Sequence, residues 1–279
     1  MRGKLNMSIK QYETVYIGFS DELIEEILAD ERYILKDVVT TKGKLADKTK
    51  RILSDKSIVL HEIESKGELV NVIETIRCEL VLIYKFGMII PEKYTSERPF
   101  FNIHLGDIRL NRGGHSLRWS ILDGDKSTKI TLYQIDGVDE GIIVDEVEVD
   151  ISDEDDIVTL ANKMDFKLKV LLNSLYLYLQ TDFKGGYYTV RNGIYKKKMT
   201  PDDYRIDTYL DDYYVVKRKI ACMKDFGGAI IDIDGKTYRA YSVVKSDNDG
   251  LSKLNEYGIT VKKENSICYT IYYKEYIYN

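Results

Sequence analysis

Apolar and polar residues alternate in blocks through the first half of the 279-residue chain. Segments rich in Val, Ile, Leu and Tyr, which are typical of buried strands, occupy residues 14–19, 33–40, 57–63 and 79–84. Between the last two, the apolar residues of a predicted helix over residues 68–76 fall on one face, namely Leu69, Val72, Ile73 and Ile76. Strands separated by helices predict an α/β fold with a mostly parallel, Rossmann-like sheet and helices on both faces.

The same pattern continues to residue 181. Ser20 can cap a helix after the first strand, and further strands are predicted at residues 100–104, 128–135 and 142–149. One long amphipathic helix is predicted over residues 154–179, with an apolar face formed by Leu160, Met164, Leu168, Leu171, Leu172 and Leu175. Because parallel strands share one carboxyl edge, a ligand is expected at that edge of the sheet.

In the second half of the chain the sequence changes from alternating strands and helices to short, tyrosine-rich strands separated by turns. Asp182-Phe-Lys-Gly185-Gly186 is the best candidate for a domain boundary, and 15 of the 23 tyrosines lie beyond it among short strands and turns such as Asp234-Gly235. We therefore expect a catalytic domain over residues 1–181 and a small β-rich domain over residues 182–279. The tyrosine-rich end, residues 269–278, is a candidate edge strand or contact surface, and a homodimer through this region stays open.

Composition and charge narrow the class of protein. With 44% hydrophobic and 31% charged residues, the chain has the composition of a soluble globular protein. No apolar run approaches the roughly 18 residues that span a bilayer, and the first residues lack the apolar core of a signal peptide, so a cytoplasmic location is expected. The net charge is -5, and residues 182–279 carry 17 Lys and Arg against 14 Asp and Glu, so no large positive field for nucleic acid is predicted. Cys78, Cys222 and Cys268 form no Cys-x-x-Cys pair, which supports neither a disulfide framework nor a zinc site.

Residues that can carry chemistry are concentrated between positions 100 and 141. Asn102 and His104 lie two residues apart on a predicted strand, so their side chains point to the same face and can share one reacting group. Arg112-Gly113 follows, and Asp139-Glu140-Gly141 closes the stretch. The chain has three histidines, of which His104 stands beside an Asn and ahead of a glycine-broken loop. His104 is therefore the leading candidate for a general base.

This stretch resembles the 10-formyltetrahydrofolate-dependent formyltransferase family, whose motif has Asn-x-His, then Arg-Gly, then an Asp-x-Gly turn at matching spacing. The resemblance covers about residues 13–181, and the segment from Phe86-Gly87 to Pro91 is similar to the family's aromatic-glycine loop. Leu105-Gly106-Asp107-Ile108-Arg109 stands where the commonest pattern has Pro-Ser-Leu-Leu-Pro. The Gly two residues after the His is more similar to the branch that formylates nucleotide-linked amino sugars than to the branch that formylates initiator tRNA.

The resemblance implies a role for each of these residues. His104 would take the proton of the attacking amine and pass it to the folate leaving group, Asn102 would donate to the developing oxyanion, and Asp139 would hold the imidazole. The implied folate site consists of Phe86, Gly87, Met88, Ile90 and Asp136. The implied acceptor site consists of Arg112, Gly113 and Trp119. Asp136 could equally be a turn former, and Arg112 could equally form an ion pair with loop carboxylates.

The sequence therefore predicts an enzyme that moves a formyl group from 10-formyltetrahydrofolate to the amine of a nucleotide-linked amino sugar, a small-molecule substrate, with no nucleic-acid or membrane partner. Three alternatives stay open: a methionyl-tRNA formyltransferase, a hydrolase that releases formate, and a non-catalytic folate-binding protein. A nicotinamide cofactor is disfavoured because Ile17-Gly18-Phe19-Ser20, and not Gly-x-Gly-x-x-Gly, stands at the end of the first strand. The widely separated histidines give no support to a metal site.

Overall fold

The computed structural model describes residues 9–137, 139–181, 189–246, 257–262 and 267–275. The strands are β1 Tyr12–Gly18, β2 Tyr33–Thr41, β3 Val59–Ile63, β4 Leu80–Tyr84, β5 Phe100–Leu105, β6 Ser127–Gly137, β7 Glu140–Asp150, β8 Thr189–Val190, β9 Arg205–Ile206, β10 Ala229–Ile233, β11 Lys236–Lys245, β12 Tyr257–Val261 and β13 Tyr269–Glu275. The helices are α1 Asp21–Ala29, α2 Asp47–Asp55, α3 Lys66–Thr75, α4 Glu92–Thr95, α5 Ser116–Asp123, α6 Ile157–Asp165, α7 Leu168–Gln180 and α8 Tyr213–Cys222.

The larger sheet has the strand order β3-β2-β1-β4-β5-β6-β7-β8. The pairs from β3 to β5 are all parallel, whereas β6 pairs with β5, and β8 with β7, in the antiparallel sense. The predicted α/β class with a mostly parallel sheet is thus confirmed. The strand order reverses between β1 and β4, which places the switch point of the sheet beside the carboxyl end of β4.

Helices pack on both faces of this sheet. Alternate residues of β1 point to opposite faces, so this strand contacts helices on either side. Val15 and Ile17 pack in one apolar cluster with Leu69 and Ile73 of α3. On the other face, the Tyr12 hydroxyl accepts a hydrogen bond from Gln180 at the end of α7. The predicted helix start after β1 is also present, since the Ser20 hydroxyl accepts from the backbone N–H of Leu23 at 3.2 Å.

The long helix predicted over residues 154–179 is wrong, because two helices, α6 and α7, occupy this stretch. The first begins at Ile157, since the Asp156 carboxylate accepts hydrogen bonds from the first-turn N–H groups of Val158 and Thr159. The helix breaks after Asp165, whose carboxylate is held by the hydroxyl of Tyr84 and the ammonium of Lys85. The apolar spacing runs unbroken across the gap and gave no sign of it.

The smaller sheet has the order β12-β13-β11-β10-β9, which confirms the β-rich C-terminal region. β10 and β11 form a hairpin whose turn residues, Asp234 and Gly235, both have positive φ, as a two-residue type I′ turn requires. Helix α8, which was not predicted, packs Val216 and Ile220 against this sheet. The edge-strand prediction for the tyrosine-rich end is wrong within the described residues, because β13 pairs with β11 and with β12.

The chain divides into two compact units. The first unit comprises Met1–Arg109, Lys129–Val147 and Asp165–Gly193, and the second comprises Leu110–Thr128, Glu148–Met164 and Ile194–Asn279. The boundary expected at Asp182–Gly186 lies outside the described residues, so the division into residues 1–181 and 182–279 stays a prediction. No helix in the described part of the chain is both long and apolar enough to cross a bilayer.

Candidate active site

The pairing of β5 with β6 sets the geometry of the candidate site in the first unit. In this antiparallel pair Asn102 lies opposite Tyr133, and His104 lies opposite Thr131. Directly opposed residues of an antiparallel pair project from the same face. The side chains of Asn102, His104 and Tyr133 therefore share one face of the sheet near the carboxyl end of β5.

A chain of hydrogen bonds joins this face to the turn between β6 and β7. The Asn102 Nδ2 donates to the Tyr133 hydroxyl at 2.9 Å, and that hydroxyl donates to Oδ1 of Asp139 at 3.0 Å. The same Oδ1 lies 3.6 Å from Nδ1 of His104. The His104 and Asp139 side chains are 7% and 15% exposed, respectively. The structure thus brings the three predicted catalytic residues together, with Asn102 and Asp139 joined through Tyr133 and His104 facing Asp139.

Tyr133 did not stand out in the sequence. It is one of 23 tyrosines, and its only distinction is its register opposite Asn102. The pattern of β6 predicts a strand, but the pairing partner and direction of that strand come from the tertiary fold. No sequence signal short of the correct strand pairing could have found it.

Backbone geometry delivers Asp139 to the site. Asp139 has a φ of 48°. Gly141 has a φ of 153°, a value that residues with a Cβ rarely adopt. A Cβ on Gly141 would lie 1.8 Å from the carbonyl oxygen of Gln134 on the neighbouring strand. The glycine of the predicted Asp-x-Gly turn is therefore required by the close approach of β6 and β7.

The same hairpin is fastened to the segment that follows β8. Asp136, predicted as a folate-site carboxylate, forms an ion pair with Arg191, and both side chains are more than half exposed. The carboxylate of Glu140 accepts from the backbone N–H of Asn192 at 3.2 Å. In this structure Asp136 therefore acts in holding the hairpin, while its contact with folate stays a prediction.

The unusual loop after His104 is held by charges. The Asp107 carboxylate accepts from both the backbone N–H and the Nε of Arg109, at 2.9 and 3.0 Å, and the Arg109 guanidinium also reaches Glu146 at 2.7 Å. The Nζ of Lys129 lies 3.6 Å from Oδ2 of Asp107 and 3.7 Å from Oε2 of Glu146. Burial would raise the pKa of Asp107, but the hydrogen bonds from the Arg109 side chain and backbone lower it below its ordinary value, with a smaller contribution from Lys129. The proline that stands at this position in the commonest family pattern has no backbone N–H and could not donate to Asp107 as Arg109 does.

The predicted folate loop provides an apolar surface beside β4 and β5. Phe86, Met88 and Ile90 are half-buried and pack against a core cluster that contains Ile83 and Phe100. A Cβ built on Gly87, between Phe86 and Met88, would meet no heavy atom within 4 Å. Half-buried apolar side chains next to open space fit the flat ring of a pterin, so the residues present suit a folate.

The predicted acceptor residues Arg112, Gly113 and Trp119 belong to the second unit. The backbone of Arg112 forms a parallel bridge with the Ile194–Lys196 stretch, accepting from Lys196 N–H at 2.7 Å and donating to the Ile194 carbonyl at 2.9 Å. Gly113 has φ of 101°, and a Cβ there would lie 2.6 Å from the carbonyl oxygen of Lys196. The indole N–H of Trp119 donates to the carbonyl of Lys197 at 2.8 Å. These contacts explain the glycine, and the acceptor roles stay predictions.

The remaining histidines have structural contacts. His61 Nε2 lies 2.9 Å from the Asp37 carboxylate in the first unit. In the second unit, Nδ1 of His115 accepts from the backbone N–H of Met199 at 3.2 Å. Burial lowers the pKa of His115, and the nearby charges of Arg118 and Lys198 lower it further.

Comparison with known proteins identifies the family. A model of the formyl transferase family matches residues 29–174, which is more than half of the chain. The chain belongs to the formyl transferase family. It is therefore a formyl-transferring enzyme, and 10-formyltetrahydrofolate is the formyl donor of its family.

Relatives of this formyl transferase in sequence include the methionyl-tRNA formyltransferase of Streptococcus agalactiae, which is 24% identical over 245 residues, or 83% of this chain and 78% of the relative. Among solved structures, HypX from Aquifex aeolicus in complex with tetrahydrofolic acid has a TM-score of 0.67 at 15% identity over 94% of this chain. This chain spans 44% of that HypX chain. An N-formyltransferase from Helicobacter canadensis, in complex with folinic acid and dTDP-3-aminofucose, has a TM-score of 0.65 at 13% identity, covering 94% of this chain and 99% of its own.

Proposed function

We propose that this enzyme transfers a formyl group from 10-formyltetrahydrofolate to the amine of a nucleotide-linked amino sugar, with Asn102, His104 and Asp139 as its catalytic residues. The observation that carries the proposal is that Tyr133 joins Asn102 to Asp139 by hydrogen bonds and that Asp139 in turn faces His104, near the carboxyl end of β5. Formyl transfer needs a base for the amine proton, a donor for the developing negative charge on the formyl oxygen and a group that orients the base.

Each requirement has a residue of suitable chemistry in the site. A neutral imidazole can accept a proton near pH 7, so His104 removes the proton from the attacking amine and later delivers it to the leaving nitrogen. The Asn102 amide donates to the formyl oxygen, a contribution worth roughly 3–4 kcal/mol where such donors have been removed in other enzymes. Asp139, with Oδ1 facing Nδ1 of His104, orients the ring and stabilises its protonated form.

The folate is proposed to bind on the apolar loop beside the strand ends. When bound, 10-formyltetrahydrofolate supplies the formyl carbon, attached to a nitrogen that leaves as an amine. Phe86, Met88 and Ile90 would contact the pterin, and the open space beside Gly87 would admit it.

The charge distribution supports a small acceptor. Several cations of the second unit are paired with carboxylates of the same unit, namely Arg118 with Asp225, Lys196 with Asp123, Lys197 with Asp203, Lys217 with Glu154 and Lys219 with Asp211. Paired cations attract a polyanion weakly, whereas the one diphosphate of a sugar nucleotide needs few. The likeness to the Helicobacter canadensis enzyme, crystallised with dTDP-3-aminofucose, supports the same acceptor class. Arg112, Gly113 and Trp119 are the proposed acceptor contacts.

A methionyl-tRNA formyltransferase is the second candidate. Its support is the relationship in sequence to such enzymes, which extends over 83% of this chain. The proposed mechanism at Asn102, His104 and Asp139 is the same for either acceptor.

The deciding experiment measures formylation of a panel of nucleotide-linked amino sugars and of charged initiator tRNA, each over a range of salt concentrations. We expect activity on an amino sugar, a shallow dependence on salt and no activity on tRNA. Tightly bound tRNA would instead lose affinity by about 0.9 log unit per log unit of salt for each neutralised duplex phosphate. Efficient formylation of methionyl-tRNA with steep salt inhibition would overturn the sugar acceptor.

A further inference from the structure

We propose that Tyr133 is a positioning residue for formyl transfer, because one buried hydroxyl sets the orientation of both the Asp139 carboxylate and the Asn102 amide. The inference rests on the proposed roles of Asn102, His104 and Asp139. Tyr133 acts through these neighbours and does not itself need to contact the substrates.

The direction of the hydrogen bonds follows from the chemistry of the partners. An ionised carboxylate can only accept, so the proton between Tyr133 and Asp139 belongs to the tyrosine. With its proton committed, the same oxygen must accept from Asn102, and it can accept only from the amide nitrogen. The charge on Asp139 thereby determines which way the Asn102 amide faces.

This orientation matters for catalysis because an amide nitrogen carries two N–H groups. One N–H of Asn102 is committed to Tyr133, and this bond fixes the plane of the amide. The second N–H is the donor proposed for the formyl oxygen. A flipped amide would present a carbonyl oxygen to the developing negative charge and would oppose the reaction.

Packing fixes the position of the Tyr133 hydroxyl. The residue is 1% exposed and belongs to a core cluster with Ile108, Ile143 and Val190. Ile108 lies in the unusual loop after His104, so that loop contributes to the packing around the tyrosine. A ring enclosed on several sides holds its hydroxyl in one place, which is what a preorganised site requires.

The Asp139 carboxylate held by Tyr133 also selects the form of His104. Its Oδ1 faces Nδ1 of the imidazole, so the proton of the neutral ring is favoured on Nδ1 and the lone pair on Nε2. Without Tyr133 the carboxylate loses one of its hydrogen bonds and can rotate about its side-chain torsions. Both histidine tautomers then become populated, and the Asn102 amide loses the hydrogen bond that sets its orientation.

The first test is Tyr133→Phe, which removes the hydroxyl and keeps the ring. We expect kcat to fall by about 10- to 100-fold, the range of a hydrogen bond to a charged group, with the KM for both substrates unchanged. Tyr178→Phe is the matched control, because Tyr178 is also fully buried in the first unit and its hydroxyl donates to Gln134 Oε1 at 2.9 Å, away from the catalytic side chains. Its kcat should stay within about twofold of the parent enzyme.

A double-mutant cycle tests the route. If Tyr133 acts through Asp139 and Asn102, Tyr133→Phe should lower kcat much less in an Asp139→Ala background than in the parent enzyme. One of the two side chains that Tyr133 positions is already absent there. Independent multiplication of the two losses would overturn the coupling.

The last measurement does not depend on activity. The ¹⁵N resonances of the His104 imidazole report which ring nitrogen carries the proton. We expect one tautomer in the parent protein and in Tyr178→Phe, and a mixture in Tyr133→Phe. Equal spectra in Tyr133→Phe and the parent, or equal kcat in Tyr133→Phe and Tyr178→Phe, would overturn the proposal. If the parent enzyme formylates none of the acceptors but Tyr133→Phe still shows the tautomer mixture, the proposed function is overturned and the positioning role of Tyr133 is not.

Discussion

The carboxylate of Asp139 faces the imidazole of His104 with 3.6 Å between Oδ1 and Nδ1. This separation exceeds an ordinary hydrogen bond, and catalytic hydrogen bonds often tighten only when substrate is bound. Both side chains are largely buried, which strengthens their interaction relative to one in water. If His104 and Asp139 act as proposed, we expect this separation to shorten to hydrogen-bonding distance when both substrates are bound.

Replacing His104 should abolish turnover without abolishing folate binding. His104→Ala removes the proposed general base, and we expect kcat to fall by about 100-fold or more. A reduced folate should still raise the melting temperature of the variant, because the folate loop lies on residues 86–90. Steady-state kinetics and thermal shift measure the two effects separately. Turnover within about fivefold of the parent would contradict the assignment of the base.

Filling the space beside Gly87 should block the folate. A Cβ there meets no heavy atom within 4 Å, so Gly87→Val should fold normally. A folate at 100 times its dissociation constant adds about 2.7 kcal/mol to the free energy of unfolding of the parent protein. We expect thermal shift measurements to show this stabilisation in the parent and its loss in the variant.

Gly67→Val is the control for the Gly87 substitution. Gly67 lies on α3, and the nearest atom to a Cβ there is the Ser65 hydroxyl at 3.9 Å. This variant should keep the folate response. Full stabilisation of Gly87→Val by folate would place the pterin elsewhere.

Adding a methyl group to Gly141 should damage both stability and activity. The Cβ would lie 1.8 Å from the Gln134 carbonyl oxygen, so the hairpin would have to shift, and the φ of 153° at this position costs a residue with a Cβ about 1–3 kcal/mol in addition. Because Asp139 lies two residues earlier in the same turn, we expect Gly141→Ala to lower kcat as well. Urea unfolding and kinetics check the two effects, with Gly67→Ala as the control. A variant as stable as the parent would mean that the hairpin relaxes freely.

Protonation of His115 should destabilise the fold. Its pKa is lowered in the folded protein, first by burial, so the unfolded chain binds the proton more readily. Stability should therefore fall as pH decreases below about 6.5, the ordinary value for histidine, until the folded-state pKa is reached. Protonation also removes the Nδ1 acceptor used by the Met199 N–H.

The matched variant for this pH effect is His115→Asn. Asparagine tolerates the left-handed backbone, with φ of 65°, that residue 115 adopts. Urea unfolding at about pH 8 and about pH 5.5 should show a smaller drop in stability for the variant than for the parent. An equal drop in both proteins would assign the pH dependence to other groups.

The amino-acid sequence by itself determined the class of the fold and the candidate residues. The strands β1, β2, β4 and β5 are rich in Val, Ile, Leu and aromatic residues, and the helix between β3 and β4 has a clear apolar face, so local composition and periodicity were sufficient. Asn102 and His104 share a face because a strand alternates, and this holds wherever the strand is placed. The Asp139-Glu140-Gly141 turn was recognised through the family resemblance, and the structure explains its glycine, because a Cβ on Gly141 would lie 1.8 Å from the carbonyl oxygen of Gln134.

The tertiary structure alone decided how these residues are connected. Tyr133 joins Asn102 to Asp139 because β6 pairs antiparallel with β5 in one register, a choice made by contacts between segments about 30 residues apart. At the break between α6 and α7, Asp165 is held by Tyr84 and Lys85, which lie far away along the chain. Local patterns record which face of an element is apolar, whereas strand partners and side-chain partners depend on the whole packed chain.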